Sequence, residues 1–187
     1  MSVAGQSVLE RALDALRTWL ALPVATPGSW AAVLAASEAY AVAYGAPALA
    51  VALPTVDGIY IGSEPADETD PLVGGAVSVV LRPRRSEVVH QARDGAPTGH
   101  DAHEVLLTVR VSPEGGAPGL SERRRLRLLA SLQSAIANAP QIDQAGIGGG
   151  YLRSLRWRSV EHHIVGPTAI YLVSTVTLTL LTYTTVT

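Results

Sequence analysis

The residues best suited to chemistry are Gly99-His100-Asp101-Ala102-His103-Glu104, where imidazoles and carboxylates lie side by side. Groups of these types close in sequence can share a divalent cation. In an extended chain, however, side chains alternate, so His100 and His103 point to opposite faces and only a turn would bring them to one ion. The run therefore reads as a solvated loop leading into a strand, and no metal is assigned to it. His162 and His163 are adjacent and face apart for the same reason. Glu64, Asp67, Glu68 and Asp70 form an acidic segment that could invite calcium, but the spacing is not that of a calcium-binding loop with its central Gly and terminal Glu. Gly146-Ile147-Gly148-Gly149-Gly150 precedes a strand rather than a helix and lacks the following Lys and Ser or Thr, so nucleotide binding is rejected. With no cysteine and no Gly-x-Ser-x-Gly elbow, no nucleophile stands out. Neither a catalytic residue nor a cofactor is expected.

Arg153, Arg156 and Arg158 beside Tyr151 and Trp157 could make a surface for single-stranded nucleic acid. In strand geometry Arg156 and Arg158 share one face, and Tyr151, Arg153 and Trp157 the other, so charge and stacking are only partly aligned. A core Trp with outward arginines at a subunit interface, where Arg is enriched, is the better account.

The elements that would position these residues are legible from periodicity. Ser7 and Glu10 form a capping box, and Val8, Leu9, Ala12, Leu13, Leu16, Trp19 and Leu20 follow at helical spacing up to Pro23. Ser29 to Tyr44 reads as a second, added helix with Trp30, Val33, Leu34, Ser37, Ala41 and Tyr44 on one stripe. Ala46 to Leu53 reads as a short buried strand between prolines, extended by Gly58 to Ile61. The 62–75 stretch is a long loop, Ala76 to Leu81 a strand that Arg84 to His90 continues past a break, and 92–101 another long loop. Val105, Leu107, Val109 and Val111 then alternate with Leu106, Thr108, Arg110 and Ser112, as in a half-buried antiparallel strand. Ser121 caps a helix with a stripe of Leu126, Leu129, Leu132 and Ile136, and Arg123, Arg124, Arg125 and Arg127 at its start call for an acidic neighbour such as Glu122.

Tyr151 to Val165 and the final stretch from Thr168 are two long strands joined by a turn at Gly166-Pro167. In the last strand Ile170, Leu172, Val176, Leu178 and Leu180 form an apolar face, opposed by Tyr171, Thr175, Thr177, Thr179 and Tyr183. A strand this long either bends at a bulge or outruns its domain, and its excess needs cover from another subunit. The fold expected is α+β: a single antiparallel sheet, a mixed one being left open, with two or three helices on it and a long C-terminal hairpin. Residues 1–187 are expected to form one domain.

Composition agrees with assembly. Charged residues are 16% and apolar residues 48%, against about 25% charged in an average soluble domain. All 14 basic side chains are Arg, which reflects codon usage more than chemistry. A net charge of −2 argues against binding driven by phosphate neutralisation. The N-terminus has no signal-peptide pattern, and the C-terminus is too alternating for a membrane helix, so the chain is expected to be intracellular when made and to have no membrane partner.

Taken together, the N-terminal amphipathic helix, the PALAVAL segment, the alternating EVLLTVRV strand, the helix from Ser121 to Asn138 and the two terminal strands resemble the tail terminator proteins of long-tailed bacteriophages. These are also called minor tail or tail completion proteins. The resemblance is one of element order and length, and Ser29 to Tyr44 looks added to it. It implies a structural virion protein that forms a homohexameric ring, caps the tail tube to stop its polymerisation and joins the tail to the head connector. Its partners would be copies of itself, the tail tube protein and the connector protein, with DNA passing through the lumen unbound. It would reside in the virion tail or neck, and in host cytoplasm during assembly. Arg156, Arg158, Tyr171, Thr175, Thr177 and Thr179 would be subunit contacts, and Glu64, Asp67, Glu68, Asp70 and His100 would lie in loops touching tube or connector. Another neck protein is the alternative, followed by a metal-dependent enzyme using His100 and His103.

Overall fold

The computed structural model describes residues 8–49, 51–62, 77–90, 98–112, 118–138, 152–165 and 171–185. In order they form α1 (Val8–Leu20), α2 (Trp30–Ala43), a 3₁₀ turn (Val56–Gly58), β1 (Ile59–Ile61), β2 (Val77–His90), β3 (Thr98–Val111), α3 (Pro118–Asn138), β4 (Leu152–Val165) and β5 (Tyr171–Thr185). The fold is α+β, with one five-stranded sheet in the order β1-β2-β3-β5-β4. Every pairing is antiparallel except β1 with β2, which makes the sheet mixed. The terminal strands form the expected hairpin.

One face of the sheet carries the helices. Val79, Leu81, Val105, Leu107, Val109, Leu172, Val176, Leu178 and Leu180 meet Leu13, Leu16, Trp19 and Leu20 of α1, Trp30 and Leu34 of α2, and Leu128, Leu129 and Leu132 of α3 in a single core. The alternation read in β3 and β5 is what places these residues on one side. Trp30 is fully buried, and its indole Nε1–H donates to Ser131 Oγ at 3.0 Å and to the Leu128 carbonyl at 3.3 Å, which docks α2 on α3. Ser29 caps α2 by accepting from the Ala32 N–H. The Ser7 cap predicted for α1 lies outside the described residues.

β5 has 15 residues and, at about 3.3 Å each, runs for roughly 50 Å. It stays in unbroken register with β3, while the shifts fall in β2 between Pro83 and Arg85 and between Val88 and His90, and in β4. Arg82 through Glu87 are all exposed, so that end of β2 stands clear of the helices. The inward side chains of β5 nevertheless stay buried through Thr182, and its neighbours rather than β5 itself absorb the bending.

Several expectations are corrected. No described residue of Ala46 to Leu53 lies in a strand. Side chains serve the backbone there instead: Glu38 accepts from the Leu49 N–H at 3.2 Å, Arg124 donates to the Leu49 carbonyl at 2.7 Å, and Arg127 reaches the Pro47 carbonyl at 3.5 Å. Leu49 is buried with both its backbone groups bonded to side chains, so it needs no strand partner. The strand that does form there, β1, is only Ile59–Ile61.

Pro83 does not break β2, because a bulge beside it absorbs the missing donor. The loop expected at 92–101 ends sooner, since β5 supplies partners as far back as Thr98; His100 and Asp101 are strand residues. α3 starts at Pro118 rather than after Ser121. Its buried stripe uses Leu128 where Leu126 was expected, and Leu126 is 48% exposed. In α2 only Trp30 and Leu34 are buried, and Tyr44 lies out in solvent, stacked at a tilt on Tyr40 with ring centroids 4.5 Å apart.

Candidate functional site: the open face of the sheet and its edge strand

The face opposite the helices is built from the alternate residues of the same strands. Across its middle, Val80, Thr108, Thr175 and Glu161 form one cross-strand row, and Arg82, Leu106, Thr177 and Ser159 the next. A third row sets Arg85, Glu104, Thr179 and Arg156 side by side. Thr175, Thr177 and Thr179 are half-buried, and Arg156 and Arg158 are exposed. Arg158 donates from Nε to Thr179 Oγ1 at 3.0 Å, and the Thr108 and Thr175 hydroxyls lie 3.5 Å apart. Arg84 pairs with Glu104 at 2.8 Å, and Arg85 with Glu87. The structure thus brings Arg156, Arg158, Thr175, Thr177 and Thr179 together on one surface, as the alternation predicted, with Trp157 packed on the core side. The backbone of Tyr171 begins β5, and the backbone of His100 lies in β3. Glu64, Asp67, Glu68 and Asp70 lie outside the described residues.

The hydroxyls and guanidiniums of this surface can hydrogen-bond a partner. Among the described residues, no group of His, Asp and Glu could hold a metal ion, and no helix is long and apolar enough to cross a membrane.

Two polar clusters lie on the core side, and neither was anticipated as such. In the first, Arg125 is 6% exposed and donates to both oxygens of Glu122, to His162 Nδ1 at 2.7 Å and to Ser174 Oγ at 2.8 Å. Ser174 and His162 also meet at 3.0 Å. Because guanidinium can only donate, His162 Nδ1 must be the bare, accepting nitrogen. Desolvation, and then the adjacent Arg125 charge, hold the His162 pKa below its ordinary value, while the Arg125 hydrogen bond lowers that of Glu122. Glu122 is therefore the acidic neighbour that the arginine cluster required, and Glu38 serves Arg127 at 2.6 Å in the same way. The signals were present: Ser174 interrupts the apolar face of β5, and Arg125 falls on the helical stripe of Ser121, Leu128 and Leu132.

In the second cluster His103 is buried, with Nδ1 2.8 Å from Ser86 Oγ and Nε2 3.0 Å from Thr182 Oγ1. Thr182 in turn donates to the Asp101 carbonyl at 3.5 Å. A carbonyl can only accept, so Thr182 takes the Nε2 proton's bond and Nδ1 accepts from Ser86. Burial lowers the His103 pKa, with Asp101 opposing. Both ring nitrogens are thus committed to hydroxyls, which removes His103 from the metal-binding role weighed for it.

No known protein family matches the chain, and no curated protein matches it. Among solved structures, a chain in the virion of a native gene transfer agent particle is similar to it, with a TM-score of 0.38 and 14% identity over 78% of this chain and 92% of that one. A likeness of that size carries no weight for function.

Proposed function

We propose that this protein is a structural subunit of a phage tail or tail-like particle, with the role of a tail terminator: a ring that caps the tail tube, halts its growth and meets the head connector. The observation that carries the reading is the long sheet, whose face opposite the helices sets half-buried threonines of β5 beside exposed arginines of its edge strand β4. A surface of that kind needs a partner to cover it. Thr175, Thr177, Thr179, Arg156 and Arg158 are its subunit contacts, and its work is assembly rather than catalysis. The low charged fraction, 16%, fits a chain with much of its surface in interfaces.

Native mass spectrometry of the purified chain, followed by negative-stain imaging with and without chelator, tests this reading. A hexameric ring with a central hole, indifferent to chelator, is expected, together with arrest of tube lengthening when purified tail tube protein is added. A metal-loaded monomer that leaves tube growth unchanged overturns it.

A further inference from the structure

β4 is the outermost strand of the sheet and 14 residues long, and no described strand pairs with its outer side. An edge of that length presents a row of backbone donors and acceptors that pairs readily with another strand. Its side chains indicate which strand fits. The register shift between Trp157 and Ser159 moves the alternation by one residue. Without it, residues five apart would lie on opposite faces. With it, Arg156, opposite Thr179, and Glu161, opposite Thr175, both lie on the open face. Trp157 and Val160 both pack toward the core.

In an antiparallel pair, directly opposed residues share a face. We infer that β4 pairs antiparallel with β4 of a second copy, about a twofold axis passing between Arg158 and Ser159. That axis sets Arg156 of each copy against Glu161 of the other, so one contact makes two identical ion pairs, and it sets Trp157 against Val160 twice. The contact is isologous, as a twofold requires. Bulges and charges also serve to guard an edge against pairing. A guarded edge would repel itself by carrying one sign of charge on both sides of the bulge, whereas here the signs are opposite. Glu161 lies 3.6 Å from His163 of its own chain yet keeps 74% of its side chain exposed, so it remains accessible to a guanidinium.

This inference goes beyond the ring reading and does not depend on it, because a sixfold ring uses a head-to-tail contact. The test uses the full chain, with sedimentation across concentrations and native mass spectrometry. Wild type is expected to form an even-numbered species in a concentration-dependent manner. Arg156→Glu alone and Glu161→Arg alone each place like charges at both contacts and weaken pairing by at least roughly tenfold. An equimolar mixture of the two variants restores it, since the mixed pair again sets opposite charges at both sites. Circular dichroism and melting of each variant control for folding. A wild-type monomer at every concentration overturns the inference. So does a mixture of folded variants that fails to pair. A hexamer unaffected by either substitution overturns the twofold contact and removes Arg156 from the ring contacts, while leaving the ring itself standing.

Discussion

Arg125→Ala is the sharpest probe of how α3 is held on the sheet. The side chain is 7% exposed and bonds three partners at once. Breaking a buried ion pair by removing one partner commonly costs about 3–5 kcal/mol, because the other charge is left stranded. Here the survivors fare better. Glu122 is 39% exposed and water can take over its carboxylate, while Ser174 and His162 keep each other at 3.0 Å. What is lost is the net worth of hydrogen bonds from a charged donor, together with the packing of the aliphatic stem, or about 2–3 kcal/mol in all. For a chain of this size that lowers Tm by roughly 4–12 °C. Urea unfolding followed by tryptophan fluorescence measures it, since Trp19 and Trp30 sit in the same core. Arg125→Met, which fills the stem's volume without stranding charge, is expected to fall within about 1 kcal/mol of wild type. An Arg125→Ala change under about 0.5 kcal/mol, the range of ordinary surface substitutions, would refute the reasoning.

Three further outcomes follow from the same contacts. The folded pKa values of His162 and His103 are lowered, so their contribution is complete above the ordinary imidazole value of 6.5 and is lost as pH falls below it, with Glu122 adding a second loss below 4.5. Urea midpoints should fall between pH 7 and 5, with His162→Asn and His103→Asn flattening the profile; an already flat wild-type profile sinks the idea. His103→Ala leaves the fully buried Thr182 hydroxyl with only its 3.5 Å contact to Asp101, and should cost about 1–3 kcal/mol by denaturation, a neutral result counting against a structural role for the imidazole. Trp30→Phe removes the indole donor and part of the ring volume and should cost about 1–2 kcal/mol, because Ser131 still donates to the Leu128 carbonyl and most of the packing is kept, whereas Trp30→Ala should cost about 3–5 kcal/mol. Equal losses for the two substitutions would show that packing is not what anchors α2.

Strong periodicity translated well into structure, and weak periodicity did not. α1, β3 and β5 carry clean patterns, and the spacing selected the apolar residues Ala12, Leu13, Leu16, Trp19 and Leu20, Val105, Leu107, Val109 and Val111, and Leu172, Val176, Leu178 and Leu180 that are buried. It missed the buried Ser112, His103, Val173, Ser174 and Thr182. The open-face grouping of Arg156, Arg158 and the threonines followed from the same alternation, since side-chain direction in a strand is local. The failures share a different cause. Leu49 is buried as an apolar run suggests, but whether its backbone pairs with a strand or with side chains depends on Glu38, Arg124 and Arg127, which are remote in sequence. Leu126 lost its place on the buried stripe because Arg125, with partners on two strands, turns the helix toward them. His103 read as a loop residue because the β5 backbone that pairs with it lies in the final segment of the chain.

The arginines deserve a different weight from the one their uniformity suggests. Genome-level codon usage can explain why none is Lys, but it does not explain where they point. Arg17 donates from two nitrogens to the Val56 carbonyl at 3.1 and 2.9 Å, Arg82 to the Gly62 carbonyl at 2.9 Å, and Arg124 to that of Leu49. Each ties an irregular stretch between α2 and β2 to a regular element, so a segment with little strand pairing of its own is fixed by guanidiniums. The planar fork suits this task, since one side chain can direct two parallel donors at a single oxygen, as Arg17 does, and an ammonium cannot. The same chemistry is available outward. On the open face, Arg158 is already turned to Thr179, whereas Arg156 stands on the edge strand, where a second chain would arrive. A molecule that secures its own irregular stretches with arginine–carbonyl contacts carries, on the outermost of its described strands, the side chain best suited to securing a neighbour.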